Sequence, residues 1–286
     1  MPYSFLHPDL HTAADLTKVR LEQKYNIRIT NFENGFDSSV DYAPTFFGRT
    51  NSHLILCEVS TRPFPIHLKS IYADIQNQNL PVKLFVVYPE ELDISAKDLQ
   101  TDITNAKNFG IGLINVRSNN TLLIQNEPIS IPLFIPSASL NLNKFNRKFK
   151  HLIEEAYSMY VNGNPKHGVQ ELGQIIEQAI RNLAIEAKRL LHYNNGVNPN
   201  LPTSAFATII DDLIRNGIIN VAFLNRVRAY AEDRNSVSHR VTSLKKSLIL
   251  ENKLKLDFQT GLRILEEIPN VFGNGKNGFR YKIKVV

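Results

Sequence analysis

One short segment near the C-terminal end combines residue types that can cleave RNA without a metal. Arg234 and His239 are separated by four residues, and Asn235 directly follows the arginine. Attack of a 2′-hydroxyl on the adjacent phosphate needs a base, an acid for the leaving oxygen and a cation for the charged phosphorane. An imidazole titrates near neutral pH. A guanidinium stays charged and can donate two parallel hydrogen bonds to phosphate oxygens. Asn235 can bond phosphate or orient His239, so all three are candidate catalytic residues.

The spacing places a demand on the structure around this segment. On one ideal helix, residues five positions apart point about 140° away from each other. Arg234 and His239 therefore converge where the helix ends or bends between them, or where a two-fold dimer brings two pairs to one cleft. Arg226, Arg228 and Arg240 lie on or near the same predicted helix, and we expect them to bind RNA phosphates.

The motif closes a longer stretch, FATIIDDLIRNGIINVAFLNRVRAYAEDRNSVSHR. Together with the preceding GVQELGQIIEQAIRNLAIEAKRL, this stretch resembles the HEPN superfamily, whose members carry an Arg-x(4–6)-His motif with a polar residue after the arginine. The resemblance covers roughly residues 145–270. It implies a helical bundle, a homodimer with a composite site, and an endoribonuclease that leaves 2′,3′-cyclic phosphate ends. It also implies a prokaryotic defence or toxin effector, with an antitoxin or sensor as a further partner.

Structural roles for the same residues remain alternatives. Arg234 could pair with Asp233 or Glu232, and His239 or Arg240 could act as a cation at a helix C-terminus. A helical domain of this kind could also bind nucleic acid, or dimerise, without being an enzyme.

A second candidate site lies in the N-terminal half, where Glu58 ends an apolar strand and Asp41 precedes it by seventeen residues. Hard carboxylates suit Mg²⁺, which takes one or two of them together with water. The order of elements resembles the restriction-endonuclease-like, or PD-(D/E)xK, fold. In that family an Asp and a Glu on adjacent strands bind Mg²⁺, and a lysine two residues after the Glu assists the attacking water. Asp41 and Glu58 match the carboxylates, Glu22 matches a helix-borne acid of some members, and Ser60 replaces the lysine.

This departure leaves three interpretations of the N-terminal half: a Mg²⁺-dependent DNA nuclease, a degenerate copy that binds or regulates, and a different α/β domain. Lys69 or Lys83 could take the role of the missing lysine, and the two could hold phosphate together with Arg62. Glu58 could instead be a structural acid paired with Arg62.

Charge divides the 286 residues unevenly. Residues 1–140 carry a net charge of −3, and residues 141–286 carry +9. The basic C-terminal half favours a polyanionic partner, most simply RNA. A single cysteine, Cys57, allows no internal disulfide. No apolar run reaches the roughly 18 residues of a membrane span, and the first residues lack the order of a signal peptide. We therefore expect a cytoplasmic protein without a membrane partner.

Hydrophobic periodicity predicts an α/β domain with a mixed sheet followed by an all-α bundle. The expected organisation is an α/β domain at residues 1–130, a linker at 131–143, a helical bundle at 144–270 and a basic, Gly-rich tail at 271–286. A β-meander followed by β-α-β units should build the first domain, and Ser95 should cap one of its helices. The expected strands are 27–32, 42–47, 52–59, 82–88 and 110–116, and the expected helices are 13–24, 65–78, 95–108, 143–161, 166–192, 204–216, 220–239 and 244–268.

Overall fold

The computed structural model describes residues 6–31, 44–91, 93–135, 140, 142, 143, 145–162, 164–194, 203–235 and 243–283, without the side chains of residues 31, 234 and 235. In these ranges the strands are β1 (Ile29–Asn31), β2 (Phe46–Arg49), β3 (Leu54–Val59), β4 (Val82–Pro89), β5 (Gly112–Val116) and β6 (Leu122–Asn126). The helices are α1 (His11–Tyr25), α2 (Leu68–Asn77), α3 (Ala96–Asn108), α4 (Arg147–Val161), α5 (Pro165–Arg189), α6 (Phe206–Arg215), α7 (Val221–Asn235) and α8 (Leu244–Gly273).

The chain divides into two compact units. The first unit contains Met1–Ser137, Val161–Gly163 and Arg240–Lys255, and the second contains Ala138–Tyr160, Asn164–His239 and Leu256–Val286. The first unit holds the sheet, and the N-terminal part of α8 belongs to it. The second unit is helical. The predicted combination of an α/β part with a helical C-terminal part is confirmed at this level.

The sheet of the first unit follows chain order from β1 to β6. Strands β1, β2 and β3 pair antiparallel, β3, β4 and β5 pair parallel, and β6 returns antiparallel to β5. Helices α2 and α3 make the two crossovers between the parallel strands. The predicted β-meander and β-α-β units are therefore confirmed.

Burial on both faces explains the apolar composition of the central strands. On one face, side chains of α1 pack against alternate residues of three strands, among them Ile55, Phe85 and Ile114. The opposite side of the unit carries an aromatic group in which the ring of Tyr72 on α2 contacts Phe109 and Phe134. Cys57 lies in the first of these cores, and burial raises the pKa of its thiol well above the ordinary value.

Local signals set the ends of several helices. The Ser95 hydroxyl accepts a hydrogen bond from the Asp98 amide at 3.1 Å, which confirms the predicted cap of α3. Asn26 adopts a left-handed conformation with φ of 50° and ends α1. Helix α8 continues through Pro269 to Gly273, past the predicted end at residue 268. Burial of Ile268 and Phe272 on the same helix offsets the amide hydrogen bond that proline cannot make.

The second unit is organised around α5, whose inward face is almost entirely buried. A close approach between α4 and α5 occurs at Gly168. A methyl group there would stand 2.7 Å from the Ala156 carbonyl oxygen and 2.8 Å from the Tyr160 Cα atom. Because both contacts are to backbone, neither can yield by a side-chain rotation. Within the described ranges, no helix has the length and apolarity needed to cross a bilayer.

We expect Gly168→Ala to destabilise the protein by about 1–3 kcal/mol, because the added methyl group overpacks the contact between α4 and α5. Gly273→Ala is the matched control, since a methyl group at Gly273 has no neighbour within 4 Å. The measurement is the free energy of unfolding in urea for each variant. Equal stability of the two variants would contradict the close approach at Gly168.

Candidate functional site

The Arg234–His239 segment begins on helix α7. Arg234 and Asn235 are the last two residues of α7, while His239 and Arg240 lie outside the described residues. The next described residue is Ser243, whose hydroxyl accepts a hydrogen bond from the Lys246 amide at 3.3 Å at the start of α8. The motif thus begins on α7, and the structure does not describe its histidine. The roles of Arg234, Asn235, His239 and Arg240 stay predictions.

Helix α7 is fixed to the second unit by one apolar face and by its N-terminus. Phe223, Leu224, Val227 and Tyr230 are buried. The side-chain oxygen of Asn220 accepts a hydrogen bond from the Phe223 amide at 3.0 Å, which satisfies one of the unpaired donors of the first turn. The direction of the helix axis is therefore set by packing in the three turns that precede Arg234.

The two predicted RNA-binding arginines of α7 are both ion-paired. The guanidinium of Arg226 contacts the Glu267 carboxylate on α8, and the guanidinium of Arg228 contacts the Asp211 carboxylate on α6. The Arg228 side chain is only 32% exposed. A phosphate would have to compete with a carboxylate for each guanidinium. The structure therefore gives both arginines a structural partner, and their contact with RNA stays a prediction.

A basic surface that the sequence analysis did not single out lies on the first turns of α4. Arg147, Lys148, Lys150 and His151 line an open groove of about 630 Å³ together with Glu154. Lys150 lies 3.8 Å from Glu154, while Arg147 and Lys148 have no ion pair among the described residues. The signal was present in the sequence as the run Arg-Lys-Phe-Lys-His at residues 147–151. Four basic groups on adjacent turns of one helix form a surface that can bind phosphates.

The predicted carboxylates of the N-terminal half have different surroundings. Glu58 lies on β3 with its side chain 16% exposed, and its carboxylate stands 3.5 Å from the Nε2 atom of His67. Asp41 lies outside the described residues. The carboxylate of Glu22 accepts a hydrogen bond from the Ile29 amide at 2.9 Å, which joins α1 to β1. The Ser60 hydroxyl accepts a hydrogen bond from the Arg62 amide at 3.1 Å.

The basic residues proposed to assist Glu58 have other partners. Arg62 donates two hydrogen bonds, at 2.9 and 3.1 Å, to the buried carboxylate of Asp102 instead of pairing with Glu58. The Lys69 ammonium lies 6.0 Å from the centre of the Phe64 ring. Arg62 and Lys69 therefore each have a contact other than Glu58.

Strand register separates Lys83 from Glu58. Glu58 lies opposite Val86 in the parallel pair of β3 and β4, and Lys83 is three positions earlier on β4. An odd offset places Lys83 on the other face of the sheet, about 10 Å along the strand. Burial lowers the pKa of its ammonium. Lys83 is therefore not in a position to assist a water molecule held at Glu58.

Within the described ranges, no three His, Cys, Asp or Glu side chains come close enough together to hold a metal ion. Comparison with known proteins finds no matching family model and no significantly similar curated protein or solved structure.

Releasing a paired arginine tests whether α7 contacts RNA. We expect Glu267→Gln to strengthen binding of single-stranded RNA, because the Arg226 guanidinium becomes available to a phosphate. One added phosphate contact should steepen the dependence of log affinity on log salt concentration by about 0.7. The measurement is fluorescence anisotropy of a labelled RNA across a salt series.

Glu171→Gln on α5 is the matched control, because it changes the net charge equally and Glu171 has no ion pair among the described residues. Identical salt slopes in the two variants would remove Arg226 from the RNA-binding surface.

Proposed function

We propose that this protein is a metal-independent endoribonuclease whose catalytic residues are Arg234, Asn235 and His239. The observation that supports the proposal is that Arg234 and Asn235 lie on α7, a helix that one buried face fixes in the second unit. On a single continuous helix, the arginine and histidine side chains would point about 140° apart. Their convergence therefore requires a helix that ends or bends between them, or a second copy of the motif across a two-fold axis.

The chemistry assigns one role to each group. An imidazole of His239 takes the proton from the 2′-hydroxyl, whose oxygen attacks the phosphorus atom and forms the cyclic phosphate. The bond from phosphorus to the 5′-oxygen breaks, and an imidazolium returns a proton to that oxygen. The guanidinium of Arg234 stabilises the negative charge that builds up on the phosphate oxygens. The Asn235 amide holds the phosphate or the imidazole in orientation.

Two imidazoles at one phosphate are most simply supplied by a homodimer. A two-fold axis next to the end of α7 brings two copies of the motif together, so that one histidine acts as the base and the other as the acid. The negatively charged RNA backbone is attracted to this protein by exposed cations, for which the basic groove of α4 is a suitable binding surface. The resemblance to HEPN ribonucleases supports a cytoplasmic defence or toxin effector, with an antitoxin or sensor as a further partner.

Substitution of the histidine is the direct test of the proposal. We expect His239→Ala to lower RNA cleavage in EDTA by at least about 100-fold, because general acid–base catalysis contributes 10²–10⁴. Products should carry 2′,3′-cyclic phosphate ends, which gel analysis with and without phosphatase detects. His167→Ala on α5 should cleave at the wild-type rate, since that exposed imidazole contacts the side chain of Asn164. Full activity of His239→Ala would refute the assignment.

The order of elements in the first unit favours a second candidate, a Mg²⁺-dependent DNA nuclease at Asp41 and Glu58. Helix α1, the antiparallel strands β1 to β3, helix α2 and the parallel strand β4 occur in the order that the restriction-endonuclease-like resemblance implies. The partly accessible Glu58 carboxylate is a suitable hard ligand, and a bound Mg²⁺ would supply Lewis acidity to a phosphate. His67, next to Glu58, stands where a basic side chain could orient water, whereas Lys83 does not.

If this second site is active, DNA cleavage should require Mg²⁺ and should disappear in Glu58→Ala. EDTA-resistant cleavage of RNA should be unchanged in the same variant, because the two sites share no residue. Parallel assays on plasmid DNA and RNA, each with Mg²⁺ and with EDTA, measure both activities. Undiminished DNA cleavage by Glu58→Ala would exclude Glu58 from that reaction.

A further inference from the structure

A chain of short hydrogen bonds links a serine, a histidine and a glutamate in the first unit. The Ser52 hydroxyl lies 2.8 Å from Nδ1 of His53, and Nε2 of the same imidazole lies 2.6 Å from the Glu251 carboxylate. His53 precedes β3, and Glu251 lies in the N-terminal part of α8 that belongs to the same unit. The serine and histidine are thus 198 or more positions from their acid.

The carboxylate of Glu251 determines which groups donate in this series of hydrogen bonds. Glu251 is 5% exposed, and its second oxygen accepts a hydrogen bond from the Ser130 hydroxyl at 2.7 Å. An ionised carboxylate can only accept, so the imidazole donates its Nε2 proton to Glu251. In the neutral imidazole, Nδ1 then carries a lone pair that faces the Ser52 hydroxyl. This is the tautomer that a general base needs in order to take a proton from a serine.

Ser52, at one end of this series of hydrogen bonds, is accessible to solvent. Ser52 is partly exposed and lines a groove of about 720 Å³ in the first unit. Arg28 and Arg49, both exposed, line the same groove and bring two positive charges to it. A hydrogen bond that only attached α8 to the sheet would require His53 and Glu251 alone. It would not require the Ser52 hydroxyl next to Nδ1 of His53 at the edge of a groove.

We propose that Ser52, His53 and Glu251 form a nucleophilic serine site that hydrolyses esters of negatively charged acids. The Ser52 oxygen bonds to the ester carbonyl carbon while its proton passes to Nδ1 of His53. The ester carbon–oxygen bond then breaks, and the departing alcohol takes that proton. Water attacks the acyl-serine, its proton returns through His53 to the serine oxygen, and the free acid leaves. Every atom comes from the ester and one water molecule, so the reaction needs no oxidant or reductant.

The turn before β3 holds the serine and histidine in place and limits which groups can bind the oxyanion. The amides of Ser52 and His53 both donate to the Thr50 hydroxyl, at 3.1 and 2.8 Å. Those amides are therefore occupied. The guanidinium groups of Arg28 and Arg49 are the cations among the described groove residues, and they serve both the oxyanion and an anionic substrate group.

A fluorophosphonate probe tests this site in the full-length protein, because it reacts covalently with an activated serine. We expect one adduct per chain, which peptide mass spectrometry locates at Ser52, and no adduct at that position in Ser52→Ala. His53→Asn should lower the labelling rate by about 100-fold through loss of the base. Glu251→Gln should also lower it by at least about tenfold, because the amide no longer holds the required tautomer.

Ser130→Ala is the matched control, since it removes the other hydrogen bond to the Glu251 carboxylate and leaves the serine–histidine pair intact. It should label within about twofold of wild type, because the base remains in place. Absence of an adduct at Ser52 in the wild-type protein, or undiminished labelling of His53→Asn, would overturn the proposal whatever the stability of the variants. Ser52→Ala should keep full EDTA-resistant RNA cleavage, which separates this site from the ribonuclease proposed above.

Discussion

The packing of α8 against the rest of the first unit depends on the buried carboxylate of Glu251. An ionised group as enclosed as Glu251 costs several kcal/mol unless hydrogen bonds and opposite charge offset its lost hydration. His53 and Ser130 donate to its two oxygens, and the positive charge of Lys83 attracts it. These partners come from the residue before β3, from the segment after β6 and from β4. One side chain of α8 therefore fixes the start of that helix against three separate parts of the sheet-forming chain.

Ion pairs also distinguish the cations of the second unit that already have a carboxylate partner from those that do not. Along α7, the carboxylates of Asp211 and Glu267 neutralise Arg228 and Arg226. On α4, Arg147 and Lys148 have no such partner among the described residues. The net charge of the C-terminal half is thus distributed unequally over its surface. Exposed ion pairs are weakened by salt. An anionic ligand would nevertheless have to displace a carboxylate from each of these arginines on α7, which, among the described residues, is not so at Arg147 and Lys148 on α4.

The proposed chemistries use histidine in different settings. His53 is held on both ring nitrogens, so the orientation of its ring is set before any substrate arrives. His67 is about half exposed, and its Nε2 atom lies 3.5 Å from one oxygen of the Glu58 carboxylate. His239 is assigned by its distance along the chain from Arg234 at the end of α7. The groups that contact its two ring nitrogens determine whether a histidine acts as a base or an acid. Of these three histidines, His53 is the one with a described partner on each nitrogen.

The sequence by itself determined the regular elements and their class. Apolar runs and alternation placed β3 and β4, a broad apolar stripe placed α5, and the side chain of Ser95 placed the start of α3, because backbone periodicity and capping act over a few residues. The order of meander and β-α-β units followed from the same local pattern.

Only the tertiary structure decided which charged and polar groups meet. It paired Arg62 with Asp102 and not with Glu58, placed Lys83 on the far face of the sheet, and joined His53 to Glu251 across 198 positions of sequence. It also carried α8 past Pro269, where burial of Ile268 and Phe272 outweighs a local helix-breaking signal. Such contacts depend on strand register and helix packing between distant segments, and no short stretch of sequence contains that information.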